Sequence, residues 1–87
     1  MTRWCHAPGV LWRRSVGRIV IDAPGADEPL LLDGSGAVVW DLLTEPLEID
    51  ALSLELSRRF AVPASTVRGD VEPLLAELHA AGAVTCR

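Results

Sequence analysis

Residues 29–43 read PLLLDGSGAVVWDLL, and within them the sequence changes from a strand pattern to a helix pattern. Three consecutive leucines predict a short strand over Pro29–Leu32, with its proline at the strand start or on a sheet edge, because proline lacks a backbone donor. A turn follows, in which the side chain of Asp33 or Ser35 is predicted to cap the next helix. That helix is predicted over Gly36–Leu43.

Upstream of this stretch, β-branched and apolar segments predict strands over Val10–Arg14 and Arg18–Asp22, joined by a short turn. Together with Pro29–Leu32 they predict an antiparallel three-stranded sheet. The residues before them, about 1–8, are predicted to form a flexible arm.

Downstream, the apolar spacing predicts two more helices. The second covers Asp50–Phe60 and the third covers Ala64–Ala81, with Gly82 as its C-cap. Pro73 lies inside the third helix, where proline removes a hydrogen bond, so it predicts a kink or a late start. Residues 83–86 are typical of a short terminal strand.

The length of 87 residues is enough for one small domain, predicted over residues 1–87, and too short for an enzyme with a large cofactor pocket. The predicted fold class is α+β and winged helix-turn-helix-like, a three-stranded antiparallel sheet followed by three helices. Apolar residues make up 49% of the chain, which argues against disorder. No stretch has the roughly 18 uncharged apolar residues of a membrane span, and the N-terminus lacks the apolar core of a secretory signal. We therefore expect a cytoplasmic protein with no membrane partner.

Charge is distributed unevenly along the chain. Residues 1–21 contain four arginines and no acid, residues 22–50 contain eight acids and no base, and residues 51–87 contain four of each, so the net charge is −4. A dedicated nucleic-acid binder normally presents a basic face. We therefore expect no nucleic-acid partner.

A helix-turn-helix DNA reader is nevertheless one alternative function. Arg58 and Arg59 would lie before the turn, and Arg68 would lie near the start of the recognition helix. The same helix carries carboxylates that would face DNA phosphates at a large electrostatic cost: Asp70, Glu72 and Glu77.

Two cysteines and two histidines lie near the chain ends, as Cys5 with His6 and as His79 with Cys86. Neither pair has the spacing of a zinc-binding half-site, so no metal is expected. The cysteines are expected to be free thiols. No strained nucleophile turn or phosphate-binding loop is recognisable. The sequence therefore predicts neither a cofactor nor an enzyme.

The predicted strand Pro29–Leu32 has apolar side chains on both faces, because alternation directs Leu30 and Leu32 one way and Leu31 the other. A strand edge beside an apolar helix is the arrangement that captures an extended peptide by strand addition. Two alternatives stay open: both leucine faces are core, or the edge pairs with a second copy of the chain. The apolar stripe of the third helix is formed by Val67, Val71, Leu74, Leu75 and Leu78.

Residues 32–43, LDGSGAVVWDLL, resemble the L-(D/N)-x-(T/S)-G-x-x-(I/V)-W-x-L-L signature of the PqqD-like family of peptide-recognition elements. The segments that follow have the order that this family shows. Residues 49–63 resemble its second helix and turn, and residues 67–84 resemble its third helix and exit. The resemblance spans about residues 8–84.

The resemblance implies a non-catalytic peptide chaperone that binds the leader of a ribosomally synthesised precursor peptide. In this family the leader docks as an extra strand beside the third strand, in the groove against the third helix. The implied peptide-binding residues of this chain are Leu30, Leu31, Leu32, Asp33, Val67, Arg68, Asp70, Val71, Leu74, Leu75 and Leu78.

The implied partners are the leader and a modifying enzyme, which would be a leader peptidase, a cyclase or a radical-SAM enzyme. A stand-alone domain of this length is similar to the small leader-binding proteins of lasso-peptide pathways. Two residues depart from the family pattern: Pro73 is unusual in a helix that lines the groove, and Pro29 reduces the donors of the pairing strand. We expect a monomer or a weak edge-strand dimer.

Overall fold

The structure is a computed structural model that describes residues 2–87. In chain order its elements are β1 (Trp4–His6), β2 (Leu11–Ser15), β3 (Arg18–Asp22), β4 (Leu30–Leu32), α1 (Gly34–Leu42), α2 (Ile49–Phe60), α3 (Ala64–Ala80) and β5 (Val84–Cys86). This is an α+β fold with two antiparallel sheets and three helices, so the α+β class and the three-stranded antiparallel sheet are confirmed.

The larger sheet is an antiparallel meander in the order β2-β3-β4. All three strands were predicted: β3 has the predicted bounds, and the other two differ by one residue at their ends. The β2–β3 hairpin turns at Val16 and Gly17, whose φ angles of 47° and 75° are those of a type I′ turn. In this register Ser15 lies opposite Arg18, directly across the two-residue turn.

The smaller sheet pairs β1 with β5, and it corrects the prediction for the N-terminus. A flexible arm over residues 1–8 is wrong for residues 4–6, while Met1 lies outside the described residues. The N–H of Trp4 donates to the carbonyl of Leu47 (2.7 Å), and Cys5 is buried. The strand was missed because its partners lie more than 40 residues away along the chain, beyond what local sequence patterning reports.

Helix α1 begins at Gly34, two residues earlier than predicted. Its N-cap is Asp33, whose backbone carbonyl accepts from the N–H groups of Gly36 (3.0 Å) and Ala37 (3.3 Å). Neither Asp33 nor Ser35 caps the helix through its side chain, so that prediction is wrong. Because the helix starts before Ser35, this residue lies inside the first turn instead of ahead of it.

Helix α3 runs without a break through Pro73, so a late start is wrong. Proline at this position leaves the carbonyl of Gly69 without its helical donor, but Gly69 is exposed and water can bind there. The helix ends at Ala80, one residue before the predicted end, and Gly82 terminates it as predicted. Gly82 has a φ of +79°, its N–H donates to His79 (3.0 Å), and the N–H of Ala83 donates to Leu78 (2.9 Å). These two bonds define a Schellman cap.

The core lies between the inner face of the larger sheet and all three helices. Trp40 of α1 is at its centre and is completely buried. His6 stacks on the Trp40 ring with 3.8 Å between centroids, and its Nε2 lies 2.8 Å from the Trp40 carbonyl. Trp12 packs edge-on against both rings. This aromatic cluster connects both sheets to α1.

Cys5 and Cys86 are free thiols, as predicted. In the register of the smaller sheet, Cys5 lies opposite Thr85 and Cys86 lies opposite Trp4, so the two cysteine side chains point to opposite faces. None of the helices over residues 2–87 is both long enough and apolar enough to cross a bilayer.

Candidate peptide-binding site

Strand β4 forms one edge of the larger sheet, and within residues 2–87 no strand pairs with its outer side. The β2–β3 hairpin determines which β4 residues direct their N–H and C=O groups towards this open edge. A two-residue hairpin closes on a hydrogen-bonded pair, here Ser15 with Arg18, so alternate β3 residues from Arg18 onward bond to β2. Ile19 and Ile21 therefore bond to β4.

Ile19 lies opposite Leu32 and Ile21 lies opposite Leu30, so both of these leucines direct their backbone groups towards β3. Leu31, between them, directs its N–H and C=O away from the sheet. An incoming extended chain can therefore form a two-bond pair with Leu31. This is the arrangement that strand addition needs.

Pro29 and Asp33, on either side of the strand, direct their backbone groups the same way as Leu31. Asp33 has an extended backbone (φ −137°, ψ 175°), so its N–H also faces the open edge. Pro29 offers only a carbonyl there, because it has no N–H. The open ladder thus has two donors, at Leu31 and Asp33, where a residue other than proline at position 29 would supply a third.

The side chains of β4 settle the question about its two apolar faces. Leu30 and Leu32 are half-buried and pack against the core, whereas Leu31 points outward and is 60% exposed. The interpretation that both leucine faces are core is therefore wrong. The exposed face at Leu31 continues onto Val20, its partner in β3.

An open groove of about 260 Å³ begins at Ser35, three residues beyond the end of β4. The first turns of α1 form one wall, the end of α2 forms a second, and α3 forms the third. Its walls are apolar apart from Ser35 and one carboxylate. The lining residues are Ser35, Val39, Leu56, Phe60, Val62, Val67, Asp70, Val71 and Leu74.

Only some of the α3 residues predicted to bind peptide line this groove. Val67, Asp70, Val71 and Leu74 line it, at the spacing of one helical face. Leu75 and Leu78, also predicted as peptide-binding residues, do not line the groove and lie in the core with 1% and 2% exposure. Leu75 lies on the flank of the apolar stripe opposite Asp70, and Leu78 lies one turn beyond the groove, beside the helix end.

Arg68, also predicted as a peptide-binding residue, lies on the side of α3 away from the groove. Its guanidinium donates to Glu72 (3.0 Å) and to Asp50 of α2. The hydrogen bond to Glu72, followed by the negative charge of Asp50, raises the pKa of Arg68 above its ordinary value. Arg68 therefore joins α3 to α2 in the folded chain and does not face the groove.

Five groove residues were not predicted as site residues: Ser35 and Val39 of α1, and Leu56, Phe60 and Val62 at the end of α2 and beyond it. The helical spacing places Phe60 on the core face of α2, yet this residue is 45% exposed. Phe60 is the last residue of α2. Its exposure depends on how the chain after the helix packs, which the helical spacing does not report.

Two of the three arginines considered for DNA binding form ion pairs within the chain. Arg59 donates to Glu55 (3.2 Å), one helical turn before it, and Arg68 is bound to two carboxylates. Arg58 has no ion pair among the described residues. Most of the arginine charge near the turn between α2 and α3 is thus paired with carboxylates of the same chain.

The family model of Coenzyme PQQ synthesis protein D (PqqD) matches residues 18–84, from the start of β3 to the first residue of β5. No curated protein and no solved structure matches the chain. PqqD-type proteins are non-catalytic, peptide-binding partners in the biosynthesis of ribosomally synthesised and post-translationally modified peptides. Because the match covers well over half of the residues and includes the edge strand and all three helices, this chain belongs to the PqqD family.

Proposed function

We propose that this protein binds the leader of a precursor peptide as a fourth strand of the larger sheet, beside β4, and presents the peptide to a modifying enzyme. The observation that carries the proposal is the outward N–H and C=O of Leu31 next to an apolar groove. Main-chain bonds would supply affinity, and pockets for alternate side chains would supply specificity.

The register of such a strand follows from the pleat. The leader residue opposite Leu31 would share its face and point to solvent, whereas the residues before and after it would point to the side of Leu30 and Leu32. That side leads to the groove formed by α1, α2 and α3. Apolar leader residues at alternate positions would therefore enter the groove.

The arrangement of the three helices and the meander supports a winged helix-turn-helix-like description, with α2 and α3 as the helix pair. We assign it no catalytic step and no cofactor, and we place it in the cytoplasm with its peptide. The modifying enzyme is a leader peptidase, a cyclase or a radical-SAM enzyme. In a lasso-peptide pathway the partner enzymes would be a leader peptidase and a cyclase.

A pair of substitutions at Leu31 tests the proposal in binding measurements with the leader of the cognate precursor peptide. Leu31→Pro removes the outward N–H that would pair with the leader, and an edge strand tolerates proline where the N–H faces solvent. Leu31→Ala removes the same side chain but keeps the donor. By calorimetry, Leu31→Pro is expected to bind the leader about fivefold more weakly than Leu31→Ala, since the one lost hydrogen bond contributes roughly 1 kcal/mol.

Circular dichroism and thermal unfolding serve as the control that both variants are folded. Equal affinities of two folded variants would contradict strand addition at β4. Failure of the folded wild-type protein to bind the leader would contradict the proposed function as a whole.

A further inference from the structure

Asp70 is the one charged side chain that lines the groove. Eight other residues line it, and seven of these are apolar, with Ser35 as the remaining polar one. A single carboxylate in an apolar groove distinguishes ligands by charge, because its interactions are less screened by water once a ligand covers it.

Asp70 has no ion pair among residues 2–87. The basic residue nearest to it in sequence, Arg68, lies on the other side of α3 and is bound to Asp50 and Glu72. The chain therefore does not neutralise Asp70 internally. The carboxylate is exposed to water while the groove is open.

A peptide that enters the groove displaces water from this carboxylate. Covering a charge without pairing it is unfavourable, and pairing it with an opposite charge offsets that penalty. The long stems of lysine and arginine also pack well along apolar walls such as Val67 and Leu74 while the charged end reaches a polar partner. An acidic peptide residue at the same place would be repelled.

We infer that Asp70 selects leaders that carry a lysine or arginine at a groove-facing position, next to the apolar residues that fill the groove. This inference rests on the proposed function and adds the chemical class of its ligand. Because groove-facing residues of a strand alternate with solvent-facing ones, the basic residue lies an even number of positions from the apolar anchors while the peptide is extended.

Selection from a phage-displayed library of random linear peptides tests the inference without requiring the sequence of the leader. Selections are run on the wild-type protein, on Asp70→Asn and on Asp70→Lys, and peptides that still bind Leu31→Pro are discarded. Glu72→Gln is the matched control, because it removes one negative charge from the same helix but on the side away from the groove.

The wild-type protein and Glu72→Gln are expected to enrich lysine or arginine at one fixed spacing from the apolar residues. Asp70→Asn is expected to lose that enrichment, and Asp70→Lys is expected to enrich aspartate or glutamate there. A selected basic peptide should bind Asp70→Asn about two- to fivefold more weakly than wild type, the upper part of the range for an exposed ion pair. Added salt should weaken its binding to wild type more than to Asp70→Asn.

Two failures have different meanings. If peptides that depend on Leu31 are enriched but show no basic preference, or show the same one on Asp70→Asn, the inference about Asp70 is wrong and the proposed function stands. If the folded wild-type protein enriches no peptide that depends on Leu31, strand addition at β4 is wrong and the inference falls with it.

Discussion

Phe60 and Leu54 are two large apolar side chains on α2 that are exposed to nearly the same extent, 45% and 47%. They border different surfaces. Phe60 lines the groove between α1, α2 and α3, whereas Leu54 lines an open cavity on the Arg68 side of α3. Their similar exposure makes them a matched pair for locating the peptide.

We expect Phe60→Ala to weaken leader binding about tenfold, because the ligand would no longer bury roughly half of an aromatic ring. Leu54→Ala is expected to change the affinity less than about twofold, since Leu54 lies outside the groove. Fluorescence anisotropy with a labelled leader measures both. A larger loss for Leu54→Ala than for Phe60→Ala would place the peptide on the other side of α3.

At the level of single residues, sequence reasoning located the edge strand β4 and the α3 residues that line the groove. The alternation of Leu30–Leu32 was sufficient to predict which leucine leaves the core once one face is known to be buried. The positions of Leu75 and Arg68 were not accessible in the same way. A periodic stripe indicates an apolar face of a helix, but the boundary between core and groove depends on where the other helices pack.

At the level of elements, α3 is held at its C-terminus by Gly82, which lies against the loop after β3. Gly82 has a φ of +79°, and a Cβ there would lie 3.1 Å from Cγ of Pro24. The N–H of Gly25 in the same loop donates to the carbonyl of Ala81 (2.8 Å). The helix that forms one wall of the groove is therefore fixed to the sheet by a glycine-dependent turn.

A pair of glycine substitutions on this helix tests the role of the turn. Gly82→Ala is expected to lower the free energy of unfolding by about 1–2 kcal/mol, from the left-handed backbone and the contact with Pro24. Gly69→Ala is expected to raise it by about 0.5–1 kcal/mol, because Gly69 is helical with nothing within 4 Å of the added carbon. Urea denaturation measures both, and a stabilising Gly82→Ala would contradict the account of this turn.

Most elements could be predicted from local patterns, and the exception was β1. Strands β2–β4 and all three helices have periodicities or turn residues that extend over neighbouring positions. Trp4–His6 is a three-residue strand whose partners are β5 and Leu47, both far along the chain. Pairing of this kind depends on the completed fold, so the residues themselves carry no local signal for it.

At the level of the whole molecule, the turn between β2 and β3 determines which backbone N–H groups point outward at the β4 edge of the sheet. The two-residue hairpin at Val16 and Gly17 determines which β3 residues bond to β2. The other β3 residues bond to β4, and they determine which β4 residues direct their backbone groups towards β3. The backbone N–H groups that point outward at the two edges of the meander are therefore those of Leu31 and Asp33 at the β4 edge, and those of Trp12 and Arg14 at the β2 edge.

Amide hydrogen exchange, measured by NMR with and without saturating leader, tests the central claim most directly because it reports on both edges at once. The leader is predicted to slow exchange at the N–H groups of Leu31 and Asp33. Exchange at Trp12 and Arg14 is predicted to stay unchanged. Slowed exchange at Trp12 and Arg14 with none at Leu31, or unchanged exchange at both edges while the leader is bound, would contradict strand addition at β4.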